Sequence, residues 1–440
     1  MNTKKFDVVI VGAGVSGAAV ARIIAEYTNV EQMLVLEKYA QPGEVNSHPM
    51  NNAQTSHDGG TETNYSLSHA LEVKEAAVML RRYIETKNDP LLSQKRLRMV
   101  LAVGEDEVSE LKARFKEFSP HYPDLFLVDA FWLAANEPKV MEERDPDEPV
   151  CAMVSREGYI VNYQQLARTC LSDAMRANAL LEVCFNTGVK TIRKEGGEFI
   201  IDTDKGTRFT ARMVIFCAGA HSLYYAHMLG YGLDYAILPV AGSFYSGGKL
   251  LRSKVYRMQI PGLPFAAVHG DPDILNMHET RFGPTTKPLP VMERHRYNTA
   301  PALLKIYARS PLRGISSLVC IIASKQLFMY VIENLLYDLP FVGKVLFARK
   351  VRPIIPSIRA KELKLRRGAG GIRPQIINLK TGALEMGNKT IEGEGCLFVT
   401  TPSPGASVCL WNAKHVVVRA MEFLGASFAF DKDRFDRDHS

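Results

Sequence analysis

The stretch FDVVIVGAGVSGAAVARIIAEYTNVEQMLVLE, residues 6–37, constrains the fold of this chain more than any other. Val8, Val9, Ile10 and Val11 are consecutive β-branched residues, the mark of a strand buried on both faces. Gly12, Gly14 and Gly17 follow in GxGxxG spacing; Ala18, Ala19, Ala21 and Ala25 continue as a helix, and a second strand ends on Glu37. Gly12 permits a tight turn and Gly14 lets the backbone approach a pyrophosphate. Gly17 lets the helix pack closely on the strand, and the helix N-terminus receives the phosphates. Glu37 stands where an acid accepts the ribose hydroxyls of an adenosine. The pattern predicts an α/β chain with a Rossmann-like dinucleotide-binding domain.

Later segments point back to that domain. RFTARMVIFCAGAHS carries an apolar strand, Met213 to Cys217, that ends in Ala218-Gly219-Ala220. GCLFVTTPSPGAS reads as a strand, a Gly/Pro turn and a helix from about Ala406. A helix starting at Gly405-Ala406-Ser407 offers free N–H groups to an anion, such as the N1/C2-oxygen edge of a reduced flavin. Returning to the nucleotide lobe after a long excursion is a habit of large flavoproteins, so FAD rather than NAD is expected. Residues 70–118 show the three- and four-residue apolar spacing of helices, and 237–288 alternate like an antiparallel sheet. The predicted organisation is an FAD-binding domain built from 1–80, 151–235 and 366–440. It is interrupted twice by a substrate domain, 81–150 and 236–365, of helices and a mixed or antiparallel sheet.

The seven cysteines are scattered, with no CxxC pair, which favours reduced thiols in a cytoplasmic setting over a disulfide framework or a zinc site; no metal is expected. Asp7 and Arg22 interrupt the N-terminal apolar run, so it is not read as an export signal. No stretch reaches 18 uncharged apolar residues, so none is expected to span a bilayer. Charge is uneven: 296–367 hold 14 Lys/Arg against three acids, a net of +11, which leaves −4 on the rest of a chain whose formal charge is +7. Such a block points to an anionic partner.

Seven segments together resemble one family. They are the GxGxxG unit with Glu37, NNAQTSHDGGTETNY (51–65), LPVAGSFY (238–245), FAAVHGDPD (265–273), RFGPT (281–285), GIRPQ (371–375) and TPSPGAS (401–407). Their order is similar to that of the malate:quinone oxidoreductases, FAD-dependent, membrane-associated members of the D-amino-acid-oxidase-like superfamily. The resemblance covers nearly the whole chain and is nearer the shorter branch; the longer branch usually has a glycine near Gln54. It implies oxidation of (S)-malate to oxaloacetate, with electrons passed to membrane quinone. Relatives of this architecture oxidise lactate or 2-hydroxyglutarate, which keeps those acids open. Outside catalysis, the rival is a binding module with structural FAD.

Oxidising a 2-hydroxy acid moves hydride from C2 to the flavin while the hydroxyl loses its proton, so a base is needed, and histidine suits neutral pH. Among eleven histidines two stand out. His269 ends an expected buried strand, Phe265 to Val268, and precedes an expected turn at Gly270-Asp271-Pro272. His57 lies in TSHDGGTETNY, a loop whose composition alone suggests solvent. The resemblance instead places this loop under the flavin, with Thr55, Ser56 and the glycines Gly59-Gly60 beside the ring. It also places an arginine from a segment like GIRPQ over the flavin, which makes Arg373 the carboxylate clamp and Arg281 a second cation for a dicarboxylate. The remaining expectation concerns 300–352, dense in Leu, Ile, Val and Phe with Lys325, Lys344, Arg349, Lys350 and Arg352 close by. Apolar surface beside cations suits docking on an anionic membrane surface, here the inner face of the cell membrane, where quinone dissolves. The rival is a helix covering its own core. No nucleic-acid partner is expected.

Overall fold

The computed structural model describes residues 4–259, 267–322, 325–385, 387–401 and 405–439. The strand Lys4–Val11 runs parallel between Met33–Leu36 and Arg208–Phe216. Glu182–Cys184 extends this sheet on one side and Cys396–Thr400 on the other, again in parallel. Val8, Val9 and Ile10 are wholly buried because both faces of the sheet are covered, as the unbroken β-branched run requires. One face packs Val8 and Ile10 against the small residues of the helix Val15–Tyr27, flanked by Tyr163–Ala177 and Cys409–Leu424. The other packs Val9, Val11 and Phe216 against Phe199, Ile201 and the strand Tyr235–Ala241. Strands of one sheet thus come from the start, middle and end of the chain.

The long excursions build a second, eight-stranded sheet. Its order is Lys364–Leu365, Tyr245–Gly247, Asn276–Gly283, His269–Asp273, Lys254–Arg257, Arg98–Val103, Val150–Ser155 and Leu125–Val128. Neighbours are antiparallel except for Lys254–Arg257 beside Arg98–Val103, so the sheet is mixed. Alternation sorts its residues. Met99, Leu101, Val255 and Phe282 enter an apolar core with Tyr337, Phe347 and Val351. On these same strands Arg98, Lys254, Tyr256, His269, Asp271 and Arg281 are buried too, outside that core.

The helical spacing of 70–118 is only partly realised. Helices Leu67–Lys87 and Glu105–Phe118 flank the strands Ser93–Lys95 and Arg98–Val103. RMVLAV is buried on both faces, so it lacks the polar alternation that separates a strand from a helical segment.

A smaller sheet pairs Tyr235–Ala241 antiparallel with Ile372–Asn378. Beyond it come four helices, Ala300–Ala308, Pro311–Ile322, Lys325–Leu336 and Val342–Val351. Leu303, Ile306, Tyr337, Phe347 and Val351 face inward, whereas Leu304, Leu312, Val319, Met329, Leu339 and Phe341 stay exposed. No helix among the described residues is long and apolar enough to cross a membrane.

Candidate active site

A cleft with about 1190 Å³ of open space runs past the carboxyl ends of the central parallel strands, lined in part by Gly12, Gly14, Glu37, Gly219 and Ala406. The glycines are sterically required. Gly12 has φ +102°, and a Cβ there would lie 2.6 Å from Cys217 O; one on Gly17 would lie 1.9 Å from Gly12 O. Gly14 borders the cleft, where its hydrogen leaves room for a ligand. Ser47 Oγ accepts from Val15 N at 3.0 Å beside the helix start. Glu37 Oε2 accepts from Ala13 N at 2.7 Å and Oε1 from Tyr39 N at 3.0 Å, which fixes the carboxylate in the wall. Burial pushes its proton affinity up against those two bonds. A strand-end acid and a glycine turn at one helix N-terminus fit the adenosine and pyrophosphate of a dinucleotide.

Thr187, Gly188, Val189, His221 and Glu293 complete the far end of this cleft. Sequence reasoning missed them, because Thr187 and Gly188 lie in the loop before the strand Val189–Glu195 and Glu293 comes from a distant part of the chain. Glu293 pairs with Lys38, accepts from Tyr39 Oη at 2.5 Å and lies 3.6 Å from His221 Nδ1. Burial, helped by Lys38, pulls His221 down to about 4, so it is neutral at physiological pH.

At the late motif the expected helix start needs correction. Gly405, Ala406 and Ser407 form a turn, and the helix begins at Cys409. Ser407 is drawn into the polar loop instead: its Oγ accepts from His57 N at 2.9 Å and donates to Thr55 O at 3.2 Å. Pro402 to Pro404 of this motif lie outside the described residues.

TSHDGGTETNY is largely buried despite its composition. Its polar backbone is satisfied by long side chains from elsewhere. Arg98, fully buried, donates through Nη1 to Ser56 O at 2.6 Å and pairs through Nη2 with Asp58 at 2.5 Å. Tyr163 Oη donates to Thr55 O at 2.6 Å, and Arg114 Nη2 donates to Glu62 O at 2.8 Å. Gly59 has φ +86°, and a Cβ there would meet Ala70 O at 2.4 Å. His57 Nδ1 lies 2.6 Å from Glu62 Oε1. Burial opposes the Glu62 charge, but the His57 hydrogen bond and nearby Arg98 outweigh it and hold the carboxyl at about 2.

The second sheet meets this loop with its polar residues. Tyr256 Oη lies 2.8 Å from Thr55 Oγ1, and the Tyr256 ring stacks on His269 at 4.5 Å. His269 does not close a strand; it opens one, His269–Asp273, opposite Gly283. Gly270-Asp271-Pro272, expected as a turn, is strand, because Gly270 packs on Leu251 and Phe282, and the register shifts only at Pro272/Asp273. Phe265 and Ala266, part of the expected strand, lie outside the described residues. His269 Nε2 is 3.5 Å from Asp271 Oδ1 and has no hydrogen-bond partner. Burial pulls His269 down to about 4, so its imidazole is neutral. Lys254, also fully buried, lies 3.4 Å from Asp271 and is pulled to about 8 by burial.

The two arginines differ. Arg281 donates from Nη1 to Pro49 O and from Nη2 to Asn52 O, each at 2.8 Å, so both terminal nitrogens hold the loop. Arg373 sits opposite Val240 on Ile372–Asn378 and, among the described residues, has no ion-pair partner. Burial pulls it below the ordinary arginine range, against the pull of nearby Tyr330. Pro374 borders the cleft, and its neighbour Arg373 points the other way, toward Gly242. Gly371 brings this segment to the loop: a Cβ there would lie 2.7 Å from both Asn46 Oδ1 and Asn51 O.

The structure therefore gathers Gly12, Gly14, Glu37, Gly219 and Ala406 in one cleft, with Gly17 beneath it, and joins Thr55, Ser56, His57, His269 and Ser407 in one buried polar region. Gly405 is buried at the turn between them. Arg98, Lys254 and Glu62 were not anticipated. The first two had a signal: a cation heading a strand whose next residues are apolar, RMVLAV and KVYR.

The family profile described as "Malate:quinone oxidoreductase (Mqo)" matches residues 4–424. A probable malate:quinone oxidoreductase from Campylobacter jejuni is 37% identical over 447 aligned positions, covering 98% of this chain and 99% of its own. The malate:quinone oxidoreductase of Helicobacter pylori strain 26695 is 33% identical, covering 99% and 98%. Among solved structures, L-alpha-glycerophosphate oxidase from Mycoplasma pneumoniae with FAD bound has a TM-score of 0.65 at 17% identity, covering 98% of this chain and 97% of its own. Glycine oxidase from Geobacillus kaustophilus has a TM-score of 0.65 at 18% identity, covering 98% of each. At these identities the structures share the fold.

Proposed function

The chain belongs to the malate:quinone oxidoreductase family and is an FAD-dependent oxidoreductase, and from that premise we propose that it oxidises (S)-malate to oxaloacetate and passes the electrons to a membrane quinone. The observation that carries this reading is that one turn joins the glycine-lined cleft to the polar region of His57 and His269: Ala406 lines the cleft, and the next residue, Ser407, binds His57 N through Oγ. FAD, when bound, would supply the acceptor for the C2 hydride of the acid and the route of the electron pair to quinone. The glycine turn Gly12–Gly17 would hold the pyrophosphate at the N-terminus of Val15–Tyr27, and Glu37 would accept the ribose hydroxyls. Thr55, Ser56 and Ser407 fix the loop beside the ring. Arg373 clamps a carboxylate with its free planar fork. Arg281 serves by holding the Pro49–Asn52 backbone, and either His57 or His269 takes the hydroxyl proton. Steady-state assays with malate and a soluble quinone analogue test the reading; peroxide formed without quinone would point to an oxidase instead.

The FAD is held non-covalently, since the chain shows no recognisable attachment motif. Acid precipitation is expected to release the yellow colour into the supernatant; colour retained in the pellet would mean a covalent link.

The helices of 300–351 dock the protein on the inner face of the cell membrane. Leu312 and Phe341 are each 85% exposed, and Lys305, Arg309, Arg313 and Arg349 are exposed around them. Each such apolar side chain that enters an acyl phase gains about 1.5–3 kcal/mol, and cations meet anionic headgroups. The helix Lys325–Leu336 and the turn after it are tied to the strand region 286–287: Asn334 Oδ1 accepts from Thr286 N at 2.7 Å, and Asp338 pairs with Lys287. Sedimentation with anionic vesicles is expected, weakened by salt and by Lys344→Glu with Lys350→Glu. Full activity with no vesicle binding at any ionic strength would leave the segment as a solvent-facing surface.

A further inference from the structure

Two imidazoles border the candidate site, and their surroundings differ in a way that separates their roles. His269 is buried against the Tyr256 ring, with Asp271 3.5 Å from Nε2 and no hydrogen bond between them. Asp271 also lies 3.4 Å from Lys254 and 3.7 Å from Arg281, so its charge is already balanced by two buried cations. A proton arriving on His269 would find no carboxylate free to support it. His57 has one at 2.6 Å.

We propose, resting on the dehydrogenase reading above, that Glu62 is the positioning residue of the base: it holds His57 with Nδ1 protonated, so that Nε2 takes the hydroxyl proton of the acid. An ionised carboxylate can only accept, so the short Nδ1 contact must be an Nδ1–H donation, which leaves the Nε2 lone pair exposed. The backbone fixes the ring from the other side, because His57 N is bound by Ser407 Oγ. The Glu62 backbone is itself held, its carbonyl accepting from Arg114 Nη2, while Oε2 is buried without a hydrogen-bond partner. Arg98, Asp58, Arg114, Tyr65, Tyr122 and Tyr256 are the other charged or titratable groups around Glu62, His269 is near His57, and Arg98 is paired with Asp58. In the step, the O–H bond of the acid breaks and an Nε2–H bond forms while hydride leaves C2 for the flavin. The imidazolium so formed sits against the Glu62 carboxylate, which stabilises it and keeps the productive tautomer, as a carboxylate does behind a histidine base in acyl-transfer enzymes.

The test is Glu62→Gln in the FAD-loaded enzyme. The anaerobic rate of flavin reduction by malate is expected to fall by roughly 10²–10⁴-fold, with the malate dissociation constant and flavin content unchanged. A second readout needs no turnover. In the oxidised, substrate-free holoenzyme at alkaline pH, 15N NMR is expected to report the Nδ1–H tautomer for His57 in the wild type and its loss in Glu62→Gln. Wild-type reduction rate and tautomer in the variant would overturn the proposal. If Glu62→Gln does not hold flavin, Glu62→Asp, which withdraws the same charge by one methylene, replaces it with the same expectation, and an unchanged rate there overturns the proposal equally. A wild-type flavin that malate cannot reduce would instead sink the dehydrogenase reading itself.

Discussion

Arg373→Met is expected to weaken malate binding sharply while leaving FAD in place. The side chain is half-buried on Ile372–Asn378, lies off the cleft face that Pro374 lines, and has no carboxylate partner of its own among the described residues. Such a cation has already lost much of its hydration without gaining an ion pair, so the protein holds it ready for an anion from outside. Methionine keeps an unbranched aliphatic stem without the charged fork that reaches toward Gly242. Losing one partner of a buried charge pair costs about 2–5 kcal/mol, read as a KM for malate raised by the corresponding factor. Flavin content and its absorbance spectrum should match the wild type. Near-normal kinetics would assign the clamp to another cation, with Lys287 and Arg294 the nearest in kind.

His57→Ala is expected to lower the rate of flavin reduction by roughly 10²–10⁴-fold, with little change in malate affinity. His269→Ala should cost less in rate and more in stability. Its ring is stacked on Tyr256 and almost wholly buried, so alanine leaves a cavity under the Thr55–Tyr256 contact. Stopped-flow reduction and thermal unfolding of the two variants separate these effects. The reverse pattern, a large rate loss at His269 and none at His57, would exchange their roles and remove the support for Glu62.

The nucleotide half was readable because its chemistry is local. The turn at Gly12–Gly17 and the acid at Glu37 lie within one strand–helix–strand unit, so spacing alone placed them in one cleft. The fate of TSHDGGTETNY was not local. Its residues are polar, and only Arg98, Arg114 and Tyr163, brought from distant parts of the chain, make its burial tolerable. Composition therefore favoured solvent, and the flanking motifs were needed to place the loop inside. His269 was found for a partly mistaken reason: it begins its strand rather than ending one. Glu62 stands five residues from His57, yet no helical or strand period links them; the tight turn at Gly59 and Gly60 does. Arg281 looked like a substrate cation because it stands on the strand returning from His269, but its donors face the Pro49 and Asn52 carbonyls. For the 300–351 helices the sequence offered two rival readings, core or membrane surface. The structure divides them by face, Leu303 and Phe347 inward and Leu312 and Phe341 outward.

Anaerobic reduction of the purified yellow protein by a panel of 2-hydroxy acids tests the central claim most directly. With (S)-malate the flavin absorbance is expected to bleach, and a quinone analogue added afterwards should restore it. Lactate and 2-hydroxyglutarate should bleach it far more slowly. A flavin that malate leaves oxidised, whether another acid reduces it or none does, would contradict the assignment of malate as substrate.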